Sequence, residues 1–304
     1  MGALVPTACR SSSDGRTPTS QPDTVGVVVS VLPQAFLAER VGGAHVRVTV
    51  LVGPGQSPHV FEPSQRQMAA LSDARLYFTT ALPFERVLAD KLAPMFTTLR
   101  MVDTTRDIPL RPVTPCDHGH EDGGPDSHAH GDPDPHVWLN PKFALRQAAT
   151  MAAALREIDP AHAADYDRNL ATLTTEINRV DERVAAALAP FKGRPFFVFH
   201  PAYGYFADRY GLVQVPVEEG GKEPSPRQLA ALIDRAKQEG VRLIFVQPQF
   251  PTKSAEAVAQ AIGGAVLPLD DLAPDYLANL DDMATKIARS MTATASAEST
   301  PRRN

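Results

Sequence analysis

Two α/β lobes with mostly parallel sheets, joined by one long helix, are what this sequence predicts, on three observations. Short Val-, Ile- and Phe-rich runs alternate with amphipathic stretches from Thr24 to Asp103 and again from Phe196 to Met291; strands alternating with helices argue parallel sheets covered on both faces. Between these halves, Pro160 to Ala189 reads as one helix whose Leu170, Leu173, Ile177, Val180, Val184 and Leu188 step by threes and fours. A helix of that length outruns a single small domain and bridges two. Finally, 304 residues at 43% hydrophobic suffice for two ordinary domains, each with its own core.

In chain order, residues 1–23 read as a leader or tether, 24–158 as the N-terminal lobe, 159–191 as the linking helix, 192–291 as the C-terminal lobe and 292–304 as a small, polar, disordered tail. In the first lobe, strand patterns at Thr24 to Val31, Val46 to Val52, Leu76 to Thr80 and Leu99 to Asp103 alternate with helical ones at Pro33 to Val41, Gln65 to Asp73 and Glu85 to Ala93. Asn140 to Ile158 is a further helix. In the second lobe, strands at Phe196 to Phe199, Leu212 to Val217, Leu243 to Val246 and Val266 to Leu269 alternate with helices at Tyr203 to Tyr210, Pro226 to Glu239 and Ser254 to Ile262, and Asp275 to Met291 closes as a helix. Gly211, Gly240 and Gly263 stand where those helices stop.

A formal charge of -5 leaves no basic footprint for nucleic acid, and no apolar run approaches the roughly 18 to 20 residues of a membrane helix. Cys9 and Cys116 are too few and too far apart for a disulfide framework or a thiolate zinc site. The residues around Cys9 resemble the cut end of a secretory signal followed by a Ser/Thr/Pro tether, an arrangement that would anchor the chain through a lipid on Cys9; the alternative is a plain disordered leader.

From about 104 to 135 the periodicity gives way to Pro, Gly, Asp and His. This is longer than structureless connections usually run inside a compact domain. His118, His120, His128 and His130, set among carboxylates, suit loose, low-affinity binding of divalent metals through many alternative ligand sets; the plainer reading is a solvated low-complexity insert.

Four residues share one structural address. His59 follows the Gly53-Pro54-Gly55 turn after a strand, His200 and Asp270 follow strand ends, and His136 ends the long loop. Parallel sheets bind ligands in the crevice at the carboxyl ends of their strands. Three imidazoles and a carboxylate would make a tetrahedral set for Zn²⁺ in an interlobe cleft, with two ligands from each lobe. Taken singly, each histidine also reads as an ordinary loop residue, Asp271 is as eligible chemically as Asp270, and Glu62 reads either as a hydrogen-bond acceptor behind His59 or as a helix cap. The spacings match no local zinc motif.

Ser57-Pro58-His59-Val60-Phe61-Glu62-Pro63, Asp134-Pro135-His136-Val137-Trp138-Leu139, the run from His200 to Leu212 and Ile244-Phe245-Val246-Gln247-Pro248-Gln249-Phe250 closely resemble, in that order, the zinc/manganese substrate-binding proteins of bacterial ABC importers, the ZnuA-like group. The resemblance spans Gly26 to Met291 and implies two Rossmann-like lobes on one rigid backbone helix. It places metal ligands on His59, His136, His200 and Asp270, with Asp271 standing where Pro is common. It also implies capture of Zn²⁺ in the periplasm or at the outer face of the cytoplasmic membrane, by a monomer that delivers the ion to a permease driven by an ATPase. Histidine at the third position and a His-rich loop are similar to the zinc-type members; a manganese-binding or an adhesin-type member is the alternative. Four protein ligands would leave no open position for an activated water, so an enzyme is not expected. A zinc hydrolase with Asp270 as base is the remaining class.

Overall fold

A computed structural model of the protein describes residues 24–92, 95–112, 133–218 and 225–298. The leader 1–23 with Cys9, the His-rich residues 113–132 with Cys116, His118, His120, His128 and His130, and the last residues 299–304 lie outside them.

The N-terminal lobe runs β1 (Val25–Val29), α1 (Leu32–Gly42), β2 (Val46–Val50), α2 (Gln65–Asp73), β3 (Leu76–Thr79), α3 (Pro83–Leu92) and β4 (Arg100–Asp103). Its strands form a four-stranded sheet in the order β2-β1-β3-β4, all parallel. Val27, Val28 and Val29 of the central β1 are buried on both faces, as β-branched residues are when helices cover a parallel sheet. The start of α2 is fixed by a reciprocal cap between Ser64 and Gln67, so Ser64, not Glu62, caps this helix.

After α4 (Pro141–Ile158), which Asn140 caps through the Lys142 N–H, comes α5 (Ala163–Leu188), 26 residues long, about 39 Å at 1.5 Å per residue. Short 3₁₀ turns at Pro160–His162 and Ala189–Phe191 flank it. The C-terminal lobe repeats the rhythm with β5 (Pro195–Val198), α6 (Gly204–Tyr210), β6 (Val213–Pro216), α7 (Pro226–Gln238), β7 (Leu243–Val246), α8 (Lys253–Ala261), β8 (Ala265–Pro268) and α9 (Tyr276–Glu298). Its parallel sheet has the order β6-β5-β7-β8. The helix α9 runs to Glu298, past residue 292 where the sequence reading begins a disordered tail. The Ala- and Thr-rich stretch after Met291 holds no Gly or Pro to stop it.

The linking helix does more than connect. Leu173, Ile177, Val180, Val184 and Leu188 of α5 are buried in one core that also takes in Leu37 of the first lobe and Phe206 and Met283 of the second. Asp181 of α5, itself buried, receives both Nε and Nη2 of Arg209 and the hydroxyl of Tyr210 from α6, and pairs with Lys142 Nζ of α4 at 3.2 Å. Arg209 and Lys142 hold the Asp181 carboxyl below its usual range against the opposing effect of burial. Both lobes are therefore docked on the same helix by packing and by charge.

Candidate metal centre

In each lobe the strands point the same way, so the segments after them collect on one edge. After β2 the chain turns at Gly53 to Gln56 and enters a 3₁₀ turn, Pro58–Val60, capped by the Ser57 hydroxyl on the His59 N–H. After β5 it reaches His200, whose backbone N–H and C=O are both gripped by the Gln247 side chain at 3.3 and 2.9 Å. His136 precedes the 3₁₀ turn Val137–Leu139 that leads into α4.

These three histidines converge. One ring nitrogen from each lies within 4.8 Å of the others, the one group of three or more metal-ligating side chains that does so among the described residues. The Nε2 atoms of His59 and His200 are 2.9 Å apart. Two nitrogens bound to one tetrahedral Zn²⁺ at 2.0–2.1 Å stand about 3.3 Å apart, so a small outward shift admits the ion.

Two of the three are oriented from behind. His136 Nδ1 donates to Asp134 Oδ1 at 2.8 Å, and the same oxygen accepts the His136 backbone N–H. His200 Nδ1 donates to Glu218 Oε1 at 2.5 Å, and Phe250 stacks on the His200 ring. A carboxylate only accepts, so in the neutral imidazole each bond places the proton on Nδ1 and leaves an Nε2 lone pair facing inward. His136 Nε2 is buried and has no hydrogen-bond partner. Buried polar atoms are almost always satisfied, and a ligating nitrogen facing a metal is a physical reason for this exception.

The electrostatics divide in the same way. Burial pulls the His136 pKa down, but the Asp134 carboxylate, with Asp271 and Glu218, outweighs it and raises the net value. Desolvation of the part-buried His59 ring where it meets His200, then the charges of the neighbouring His200 and His136, push His59 down to about 3, although the residue as a whole is exposed. His59 itself stands at the exposed rim of the cleft while His136 and His200 are buried.

Neither Asp270 nor Asp271 joins the converging group. Asp270 Oδ1 accepts the Leu272 N–H, its carbonyl accepts from Asn279, and its charge interacts with Lys286 and Asp271. Asp271 is the one that acts on His136, from a buried position with Oδ1 held by Gln249 Nε2 and its carbonyl by the Trp138 indole. The turn after β8 uses Asp270 to cap itself and directs Asp271 inward. Sequence reasoning misses Glu218; its position just after β6, on the same sheet edge, is the signal that could find it. Asp134 lies two residues before His136 and has no role of its own in the sequence reading.

Residues 27–290 match the family described as "Zinc-uptake complex component A periplasmic", ZnuA. The high-affinity zinc uptake system protein ZnuA of Bacillus subtilis (strain 168) is 27% identical over 277 residues, 88% of this chain and 85% of that protein. A crystal structure of ZnuA, 39% identical, matches with a TM-score of 0.81 over 88% of this chain and 99% of its own. The laminin-binding protein Lmb of Streptococcus agalactiae, described as bifunctional with adhesin and metal transporting activity, is 26% identical with a TM-score of 0.76 over 88% of this chain and 99% of its own. With parallel lobes, a shared backbone helix and a histidine triad between them, and with a family match across residues 27–290, the chain belongs to the ZnuA family.

Proposed function

We propose that this protein captures one Zn²⁺ as cargo between its lobes, through His59, His136 and His200, outside the cytoplasmic membrane, and passes it to an ABC permease powered by an ATPase. The observation that carries the reading is the convergence of three imidazole nitrogens, one of them a buried Nε2 with no other partner. The donor set suits zinc: imidazole is a borderline ligand, whereas Mn²⁺ prefers oxygen donors and more of them. No helix among the described residues is long and apolar enough to cross a membrane.

Three histidines are also the donor set of some catalytic zinc sites, where water takes the fourth position. Membership in an uptake family favours cargo over hydrolysis. Adhesion is the second reading, favoured by the similarity to Lmb, and direct binding of the purified chain to laminin decides it.

The test is thermal. At about a thousand times its dissociation constant, a ligand that binds only the folded chain stabilises it by roughly 4 kcal/mol, so melting in Zn²⁺ should lie well above melting in EDTA. Identical melts would remove the cleft site from consideration.

A further inference from the structure

The residues that flank the 113–132 segment form a neck built onto the metal centre. Pro112 and Pro133 pair in an isolated antiparallel bridge, and the Asp134 N–H donates to the Arg111 carbonyl at 2.8 Å. The same Asp134 accepts the His136 Nδ1–H on Oδ1. Any rotation of the neck therefore turns the carboxylate that aims this ligand.

A single oxygen of the opposite lobe holds both chains of the neck. The Tyr205 hydroxyl, on α6, accepts the Arg111 N–H at 2.9 Å and donates to the Asp134 carbonyl at 2.9 Å. Its ring is buried among Ile108 and Val137, edge-on to Phe143. The Arg111 guanidinium lies over that ring and pairs with Asp208 of α6 at 3.1 Å. Gly204 leaves room for the approach: a Cβ there would crowd the Arg111 guanidinium and stand 3.0 Å from Asp134 Oδ2.

We infer that Tyr205 is a positioning residue for zinc binding: from the C-terminal lobe, through Asp134, its hydroxyl fixes the imidazole that the N-terminal lobe presents, so the full site assembles only when the lobes are in register. The inference rests on the zinc reading above. Its physical basis is the cost of leaving a backbone donor and acceptor unpaired at a buried contact, together with the dependence of ligand aim on the groups that hydrogen-bond the ligand.

The experiment compares zinc affinity, by competition with a chromophoric chelator, and melting in EDTA for wild type, Tyr205→Phe and Phe143→Leu. The Phe143 variant loosens the same patch and touches neither Arg111 N nor the Asp134 carbonyl, so it reports packing alone. Tyr205→Phe should weaken zinc about 10- to 100-fold, the range for groups that orient a ligand, at a melting loss in EDTA no greater than that of Phe143→Leu, which should keep its zinc affinity. Affinity of Tyr205→Phe within about threefold of wild type, far below that range, overturns the inference, as does an equal loss in Phe143→Leu. If Tyr205→Phe does not fold, Asp208→Asn, a surface change that removes the ion pair holding the Arg111 side chain beside the Tyr205 ring, takes its place: a several-fold loss supports the clasp and unchanged affinity overturns it. Failure of wild type to bind zinc would instead overturn the functional reading, so the two failures are distinguishable.

Discussion

His136 and His59 bring the same imidazole to the same centre from opposite settings. His136 is buried, with Nδ1 bonded to Asp134 and its ring against Trp138; His200 matches it with Glu218, Gln247 and Phe250. His59 sits exposed on a 3₁₀ turn, and the bond that fixes it locally is the 3.3 Å contact from its backbone N–H to Ser57. The difference teaches that two of the three proposed ligands are aimed by the fold before metal arrives, while the third is aimed mainly by its turn. Groups already ordered lose less freedom on binding. The buried pair should therefore dominate affinity, and the rim ligand should complete the site.

The largest expected effect tests that ranking. His136→Ala and His200→Ala should each weaken zinc by more than the roughly 10- to 100-fold typical of groups behind a ligand, and His59→Ala should cost less than either because water can replace a ligand at the exposed rim. Competition titrations on the three variants measure it. A loss in His59→Ala equal to or above the others would break the comparison.

Next in size are the groups behind the buried pair. Glu218→Gln and Asp134→Asn should each cost about 10- to 100-fold in zinc affinity, whereas Ser57→Ala, behind the rim ligand, should leave it nearly unchanged. Equal effects from all three would erase the distinction between wall and rim.

The pH dependence is smaller and has a definite sign. A proton on His136 must leave before zinc binds, and its pKa is raised, so affinity should fall as pH drops through that value. His59, pushed down to about 3, stays neutral over the same range and adds no proton competition there. Asp134→Asn removes the main influence that raises the His136 value while burial still lowers it, so the inflection should move to lower pH. Titrations between about pH 5 and 8, the window in which histidine switches, would show it; an inflection that stays put would mean that another group controls the proton.

The smallest predicted effect separates two neighbouring carboxylates. Asp271→Asn removes a charge that acts on His136 and should weaken zinc. Asp270→Asn keeps an acceptor for the Leu272 N–H and should leave zinc affinity at the wild-type value.

The strands and helices were legible because hydrophobic periodicity is a local property: α2 runs Gln65–Asp73 and β7 runs Leu243–Val246 in the sequence reading and in the structure alike. The histidine addresses were legible because parallel strands deliver the loops after them to one edge of the sheet. Direction lay outside the sequence. Asp270 and Asp271 are adjacent carboxylates, and only the turn's own hydrogen bond to Leu272 decides which one faces inward. Glu218 was invisible for a related reason, since a carboxylate after a strand reads as solvent-facing until its partner, 18 residues earlier in sequence, is seen 2.5 Å away. Tyr205 is a buried aromatic of a helix the sequence does predict; its hydroxyl gains meaning only from two backbone groups that no local pattern brings together.

The most direct measurement is zinc-edge X-ray absorption on protein carrying one equivalent of Zn²⁺, using a chain that lacks residues 117–130 so that no histidine from that stretch contributes. The account predicts one tightly held ion with three imidazole nitrogens at about 2.0–2.1 Å and a light atom in the remaining position. A spectrum with one imidazole or none, or loss of tight binding in the shortened chain, would contradict it.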